Sequence, residues 1–467
     1  MKFLVACHTD NIGPGSTYVV IAGKKYDGMQ FIPHAIENGA TTIVIGANAI
    51  IPDGIEKLCT QKNIHIKRVE NTRRALAQLS AVAYDYPAKK LKLVGVTGTD
   101  GKTTSTYLLF NMLKMAGKKV ALFSGVEQII EEEIVEATLT TPQPDYLHYF
   151  FNRCVQQGIE YVVIELSAQA TTYHRLDGLL FDGLIFTNLS QEHGEEYQSI
   201  EEYFAAKCAI LAQKKKNAPL IVHDSPWAKR IKKIFQPVFI AGQKADLDYQ
   251  AVSLQETFGN QLMEINFDAQ WYPVETSLVG SYNVSNIIGA TALAHQLGIT
   301  REHILMGIKN CSGVAGRFER YRLKNGTWAV VDYAHTPQAF GCILPTLKKH
   351  ARQLIVVFGA AGGKDIGKRS LMGQLAAQFA DEVILTNDNP RNEDPLKIMD
   401  AVASLLNKYE QLKIHREPDR AKAIQLAYQL SQSGDIIAIL GKGHETMQTI
   451  GTQRFHHNDA EIVKSLN

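Results

Sequence analysis

Short apolar runs recur along the chain, each followed by a polar or glycine-bearing turn and then by a helical pattern. Met1 to Cys7 and Tyr18-Val19-Val20-Ile21 read as early strands, and Phe31 to Asn38 as a helix that Gly39 would cap. Leu91 to Val96 reads as a strand feeding a helix with Leu109, Met112, Leu113 and Ala116 on one face. Further strand-like runs are Tyr161-Val162-Val163-Ile164, Leu184-Ile185-Phe186, Ala329-Val330-Val331, Ile355-Val356-Val357-Phe358, Val383-Ile384-Leu385 and Ile436-Ile437-Ala438-Ile439. Ile200 to Leu211 reads as another helix. This alternation predicts an α/β fold with largely parallel sheets.

Three units follow from the breaks in the pattern. Residues 1–89 form the first, and Tyr86-Pro87-Ala88-Lys89-Lys90 is its linker to the second. Residues 90–312 form the second, and Gly313-Val314-Ala315-Gly316 reads as a flexible joint into a third unit, 313–467. A length of 467 residues accommodates three such units. The sequence shows no internal repeat and no low-complexity segment.

Composition narrows the class of partner. A net charge of +2 offers no electrostatic case for nucleic acid or an anionic membrane. The runs Glu131-Glu132-Glu133 and Lys214-Lys215-Lys216 are short enough to be solvated faces. No apolar stretch approaches the ~20 residues of a membrane helix. Leu4-Val5-Ala6-Cys7 imitates a lipoprotein cleavage site, but six residues before the cysteine leave no room for an export segment. The six cysteines are scattered without metal-ligand spacing, which points to free thiols and a reducing cytoplasm.

The chemistry is concentrated where the strands end. Val96-Thr97-Gly98-Thr99-Asp100-Gly101-Lys102-Thr103-Thr104 joins a strand to a helix in the manner of a phosphate-binding loop. Glycines let backbone amides curl around a phosphate, the helix start adds positive potential, and Lys102 supplies a cation. The Thr103 hydroxyl is placed to ligate Mg2+. Val96 stands where the usual first glycine would fall, so the spelling is a variant one. These features point to an ATP site.

Other strand ends carry polar groups as well: Glu165, Thr187-Asn188, Asp332, Asp388-Asn389-Pro390-Arg391 and Gly441-Lys442-Gly443-His444-Glu445. Ligands of open α/β sheets bind outside the carboxyl ends of strands, so these endings predict a cleft between two α/β units. Glu165, His193 and Lys207, the last two fourteen residues apart, form a second constellation behind the phosphate loop. Glu165 can hold magnesium directly or through water.

Taken together the motifs resemble the Mur ligase family, and within it the MurE branch. The resemblance spans nearly the whole chain. It is carried by the phosphate loop, Thr140-Thr141-Pro142, Thr187-Asn188-Leu189 and Tyr203-Phe204-Ala205-Ala206-Lys207. Gly280-Ser281-Tyr282-Asn283-Val284-Ser285-Asn286, Gly316-Arg317-Phe318-Glu319 and Asp332-Tyr333-Ala334-His335-Thr336-Pro337 extend it, with the two closing motifs at 388–391 and 441–445.

The resemblance implies a three-domain architecture. It comprises a UDP-sugar (acceptor) domain, a central P-loop-type parallel-sheet ATPase domain, and a Rossmann-like C-terminal domain that takes the amino acid. It also implies Lys207 carbamylated into a carboxylate-like magnesium ligand, with Glu165 and His193 sharing a second ion. Asn283 would meet the adenine, Asp332 the ribose and Arg317 the ATP phosphates. Thr140, Thr141, Ser167 and Arg175 would lie beside the acceptor.

The implied reaction is ATP-dependent amide formation through an acyl phosphate, extending UDP-N-acetylmuramoyl-L-alanyl-D-glutamate in peptidoglycan synthesis. His335 is a candidate base for the incoming amine, and a residue that merely orients its turn is the equal alternative. The arginine-bearing Asp388-Asn389-Pro390-Arg391 looks like the meso-diaminopimelate form of the branch. A guanidinium can grip the distal carboxylate of diaminopimelate bidentately, and lysine has none. Arg369, Arg391, Gly441 and Glu445 fall where the branch places amino-acid contacts. The family's habit further implies a monomer.

The acceptor side departs from the family. Glu165-Leu166-Ser167-Ala168-Gln169-Ala170 replaces Glu-Val-Ser-Ser-His-Ala, and Glu192-His193-Gly194-Glu195-Glu196-Tyr197 replaces Asp-His-Leu-Asp-Tyr-His. His8-Thr9-Asp10 stands for Asp-Ser-Arg, in a first unit that is short at its start. Either the usual acceptor is used by a divergent ligase, or a related carboxylate replaces it. An ATP hydrolase or a silent binding subunit is the reading from another class. The amino-acid motifs argue against the hydrolase, and the retained Lys102, Glu165, His193 and Lys207 against the silent subunit.

Overall fold

A computed structural model describes residues 1–467 except 24–25, 193, 407–408 and 410. His193, expected as a metal ligand, therefore lies outside the described residues. Three large sheets are each drawn from one stretch of chain.

The first sheet holds four parallel strands in chain order, Phe3–Ala6, Ile12–Val19, Thr42–Gly46 and His65–Val69. The expected helix is Ile32–Glu37, entered through a single 3-10 turn. Gly39 ends it with φ +103, and a Cβ there would lie 2.8 Å from the Pro14 Cα, so the position demands glycine.

The second sheet has eleven strands. At its heart the strand Lys92–Thr97 is flanked in parallel by Tyr161–Leu166 and Gly183–Phe186, with Thr97 level with Leu166 and Phe186. That register brings the phosphate loop, Glu165 and Thr187 to one edge. Antiparallel ribbons extend both ends of this sheet, Glu127–Ile130 with Glu133–Glu136 and Tyr249–Glu256 with two further strands. The helix Lys102–Met115 buries Leu109, Met112 and Leu113 as expected, but also Leu108 and Phe110. It is sandwiched between the sheet and the helices Ser281–Gln296 and Arg301–Lys309, so more than one face is apolar. Each such buried side chain contributes about 1.5–3 kcal/mol.

The third sheet orders its strands Glu319–Arg322, Trp328–Asp332, Ile436–Leu440, Leu354–Phe358, Glu382–Leu385 and Lys413–Arg416, all parallel except the first. The joint at 313–316 is a tight turn seated on the segment 443–444. A Cβ on Gly316, at φ +66, would overlap the His444 backbone nitrogen. No described helix is long and apolar enough to cross a membrane.

Candidate functional site

The carboxyl ends of the second and third sheets face each other across a cavity of about 1810 Å³. Thr99, Asp100, Gly101, Lys102, Thr103 and Thr104 line it from one side. Arg317, Asp332 and His335 line it from the other.

The phosphate loop is shaped by crowding. Gly98 has φ +147, and a Cβ there would overlap Thr187 Oγ1; at Gly101, φ +83, it would overlap Asn286 Oδ1. The Thr187 hydroxyl donates to the Asp100 carbonyl at 2.6 Å, and Asn188 Oδ1 accepts the Asp100 N–H at 2.9 Å. Thr97 points inward, donating to the Leu166 carbonyl at 2.8 Å, and so supports the loop from beneath. Lys102 folds over the loop and donates to the carbonyls of Gly98 and Thr99 at 3.1 and 2.7 Å. The helix begins at Lys102 without a side-chain cap, which leaves its first amides to a ligand. Among the described residues the buried Asp100 Oδ2 has no hydrogen-bond partner, and burial pushes its carboxyl above the ordinary range.

Lys207 lies under this loop. Its helix, Ile200–Leu211, is capped by Ser199, whose Oγ accepts from Glu202 N at 3.2 Å. The Lys207 amine is buried, donates to Gly98 O at 2.8 Å and sits 4.6 Å from the Tyr203 ring centre. Burial, reinforced by the Lys102 charge, pushes its pKa well below the ordinary value. Burial therefore favours the neutral form of this amine more than it would at an exposed lysine. Glu165, also buried, accepts from Gly125 N at 3.1 Å.

Among the described residues no group of three or more His, Cys, Asp or Glu side chains forms a cation cage. Magnesium characteristically binds through one or two carboxylates plus substrate phosphates, so Glu165, the Thr103 hydroxyl and the unpartnered Asp100 oxygen fit that ion beside a nucleotide.

The third unit reaches across. Arg317 Nη2 donates to Thr103 Oγ1 at 3.1 Å, and its guanidinium stacks 4.5 Å from the Tyr333 ring centre. Asp332 is held by amides of its own turn, Phe318 N on Oδ2 and Ala334 N on Oδ1, both at 2.7 Å. Asn283 donates to Val279 O at 2.8 Å and accepts from Asn286 at 3.2 Å, at the start of its helix on the cavity wall. His335 faces two acceptors, Tyr333 O through Nδ1 at 2.8 Å and Glu192 Oε1 through Nε2 at 3.1 Å. Both ring nitrogens thus face oxygens, and these two contacts fix the orientation of the ring.

The acceptor wall is tied to Glu165. Thr141 Oγ1 donates to Glu165 O at 2.9 Å and accepts from Ser167 N at 3.0 Å, while Arg175 Nη1 donates to Thr141 O at 2.6 Å. Thr140, Ser167, Gln169 and Arg175 all line the cavity. Arg73 of the first unit and Arg175 share the Tyr173 ring, at 4.8 and 5.6 Å. No described residue of 1–89 lines the cavity itself.

A side chamber of about 170 Å³ opens among Asp388, Asn389, Arg391, Gly441 and Glu445. Lys442, fully buried, donates to Glu445 Oε2 at 2.7 Å, and Asn389 Nδ2 donates to the same oxygen at 3.0 Å. Among the described residues Oε1 of Glu445 faces no such donor. Arg391 is exposed, with φ +54, and donates to Gly362 O at 3.3 Å; among the described residues it pairs with no carboxylate. Pro390 serves the turn that carries it, its carbonyl accepting from Glu393 N at 3.1 Å.

Arg369 departs from the expectation. It is 2% exposed and bidentate on Glu393, at 2.6 and 2.7 Å, away from the chamber. That pairing holds the Glu393 carboxyl down at about 2. Lys368, Glu192, Glu195 and His444 were not singled out as site residues from sequence, yet each lines the cavity or its chamber. Burial pushes His444 down to about 4, and among the described residues its Nδ1 has no hydrogen-bond partner. Residues neighbouring a motif, such as 192 beside 193 and 444 beside 445, are the signal that could have marked them.

Comparison with known proteins agrees with this architecture. Family models match in three blocks: the Mur ligase family catalytic domain over residues 4–84, the Mur ligase middle domain over 96–294, and the Mur ligase glutamate ligase domain over 316–443. The chain is 34% identical over 464 residues to the UDP-N-acetylmuramoyl-L-alanyl-D-glutamate–2,6-diaminopimelate ligase of Aquifex aeolicus, covering 99% of this chain and 93% of that one. The ligase of the same name from Phocaeicola vulgatus is 34% identical over 97% of this chain and 93% of its own.

A solved structure of a ligase with that name superposes with a TM-score of 0.65 at 26% identity, covering 100% of this chain and 94% of that one. MurF ligase from Thermotoga maritima, in complex with ADP, shares the fold with a TM-score of 0.70 at 19% identity, over 94% of each chain. With three family blocks in order and full-length relatives at this identity, the chain belongs to the Mur ligase family.

Proposed function

We propose that this ATP-dependent ligase joins meso-diaminopimelate to the glutamate carboxylate of UDP-N-acetylmuramoyl-L-alanyl-D-glutamate. The observation that carries this reading is the single cavity that joins the phosphate loop, the wall of Thr141, Ser167 and Arg175, and the entrance to the Arg391 chamber. Three reactants then meet at one place. In this reading residues 90–312 hold ATP, 313–467 the amino acid, and 1–89 the uridine end beyond the Arg73–Tyr173–Arg175 stack.

A free carboxylate is a poor acyl donor, so it first attacks the γ-phosphate of ATP, giving an acyl phosphate and ADP. Lys102, Arg317 and the uncapped helix start offset charge on the transferring phosphoryl group. Glu165, the Thr103 hydroxyl and a carbamylated Lys207 would hold magnesium, which would supply Lewis-acid charge neutralisation. Burial favours the neutral form of the Lys207 amine, the form that adds carbon dioxide with loss of a proton. The deprotonated amine of diaminopimelate then attacks the acyl carbon, and the tetrahedral adduct collapses to amide and phosphate. Arg391 grips the distal carboxylate and Glu445 Oε1 the distal ammonium.

A second acceptor is favoured by one feature, Gln169 on the cavity wall where the family carries histidine. The test is phosphate release with ATP, magnesium and the muramoyl dipeptide, comparing meso-diaminopimelate with L-lysine and weighing the product by mass spectrometry. Tripeptide formation only with diaminopimelate supports the reading. Turnover with lysine instead overturns the specificity, and no turnover with either directs attention to another carboxylate acceptor. Lys207→Ala is expected to abolish turnover; full activity would remove its assigned role.

A further inference from the structure

Lys364, Lys368 and Arg391 line the side chamber, Arg369 and Lys442 are chain neighbours of lining residues, and three of these five cations are already spent. Lys364 donates to Glu195 at 2.6 Å, Arg369 is bidentate on Glu393, and Lys442 is buried on Glu445 and Met447 O. Arg391 and Lys368 remain. Lys368 is half-buried and lines the chamber, and among the described residues its ammonium has no hydrogen bond or ion pair.

We propose that Lys368 binds the carboxylate beside the reacting amine of the incoming amino acid, while Arg391 takes the distal one. This rests on the ligase reading above. The placement of Lys368 supports it. Its charge interacts with Glu192, the residue that meets His335 near the phosphate loop, and with Asp388 beside Arg391. Lys368 thus shares the chamber wall with Glu192 and Asp388. Burial lowers its pKa, and the surrounding Glu192, Asp388, Asp365 and Glu195 oppose that shift. A half-buried ammonium without a bonded partner is costly, and a substrate carboxylate removes that cost without displacing an existing bond.

Five carboxylates also face the chamber, those of Glu192, Glu195, Asp365, Asp388 and Glu445. A second substrate ammonium has acceptors there, whereas among the described lysines and arginines lining the chamber Lys368 is the one left for a second substrate carboxylate. The two cations therefore divide the work. Lys368 recognises any α-amino acid, and Arg391 selects one with a second carboxylate.

Steady-state kinetics of the full-length protein with meso-diaminopimelate and ATP test this, using wild type, Lys368→Met and Lys368→Arg. The methionine variant is expected to raise KM for diaminopimelate by about tenfold or more, the scale of one charge-assisted contact, and to leave KM for ATP within about twofold. The arginine variant is expected to recover most of the loss. An unchanged amine KM in Lys368→Met overturns the proposal. So does a parallel rise in both KM values, or an arginine variant as impaired as the methionine one. Absence of amide product with wild-type protein overturns the ligase reading and this proposal together. Normal wild-type turnover with an unaltered Lys368→Met overturns this proposal alone.

Discussion

The phosphate loop and the amine chamber both lie at the carboxyl ends of parallel strands, but they are built from different materials. The loop is a main-chain object. Gly98 and Gly101 are crowded by Thr187 and Asn286, and backbone bonds to Thr187 and Asn188 set its path. The chamber is a side-chain object: Arg369, outside its lining, is spent on Glu393, while Lys368 and Arg391 line it without a carboxylate partner among the described residues. A main-chain site is specified by spacing and glycines. A side-chain site depends on which way each residue faces.

The largest effect should come from the loop. Lys102→Ala is expected to lower phosphate release by about 10²–10³-fold, the scale of losing one preorganised electrostatic contact. A smaller loss, with ATP affinity intact, would place the catalytic charge elsewhere.

Arg369→Met tests the other side of the comparison, because it should damage stability rather than selectivity. Breaking a buried ion pair costs about 3–5 kcal/mol, and the 30% exposure of Glu393 reduces this to about 1–3 kcal/mol. Denaturant unfolding would show the loss, with the preference for diaminopimelate over lysine unchanged. The pair also has a pH signature. Glu393 is depressed from 4.5 to about 2, so its contribution is fully present above pH 4.5 and is lost as pH falls through about 2. Arg369→Met should flatten that part of the stability profile.

Arg391→Ala should do the reverse, leaving unfolding unchanged and raising KM for diaminopimelate by roughly 10–100-fold, as expected for a bidentate carboxylate contact. A selectivity ratio that does not move would return Arg391 to a structural role. The smallest effect is expected at His335. A general base contributes about 10²–10⁴-fold, whereas His335→Gln, removing only an orienting contact to Glu192, should cost less than about tenfold in kcat. A larger loss would restore His335 as the base.

Lys368 and Arg369 show where sequence reading reaches its limit. They are adjacent, and successive helix positions differ by about 100° in direction. A motif match alone does not say which of the two faces the chamber, and the helix Gly367–Phe379 turns the arginine inward and the lysine to the chamber. Thr97 teaches the same lesson, belonging to the phosphate-loop motif while its hydroxyl supports the neighbouring strand. His335 does so too, since its partner Glu192 is 143 residues away.

By itself the sequence determined the α/β class, the strand-to-helix phosphate loop and the alignment of polar groups at strand ends. Each depends on local periodicity, glycine stereochemistry and the direction of parallel strands. Only the tertiary structure decided that Lys207 is buried beneath Gly98, that Arg317 crosses to Thr103, and which cations of the chamber keep their charge for a ligand. Burial and pairing are properties of neighbours distant in the chain, and a cation already matched with a carboxylate reads in sequence just like one that is not.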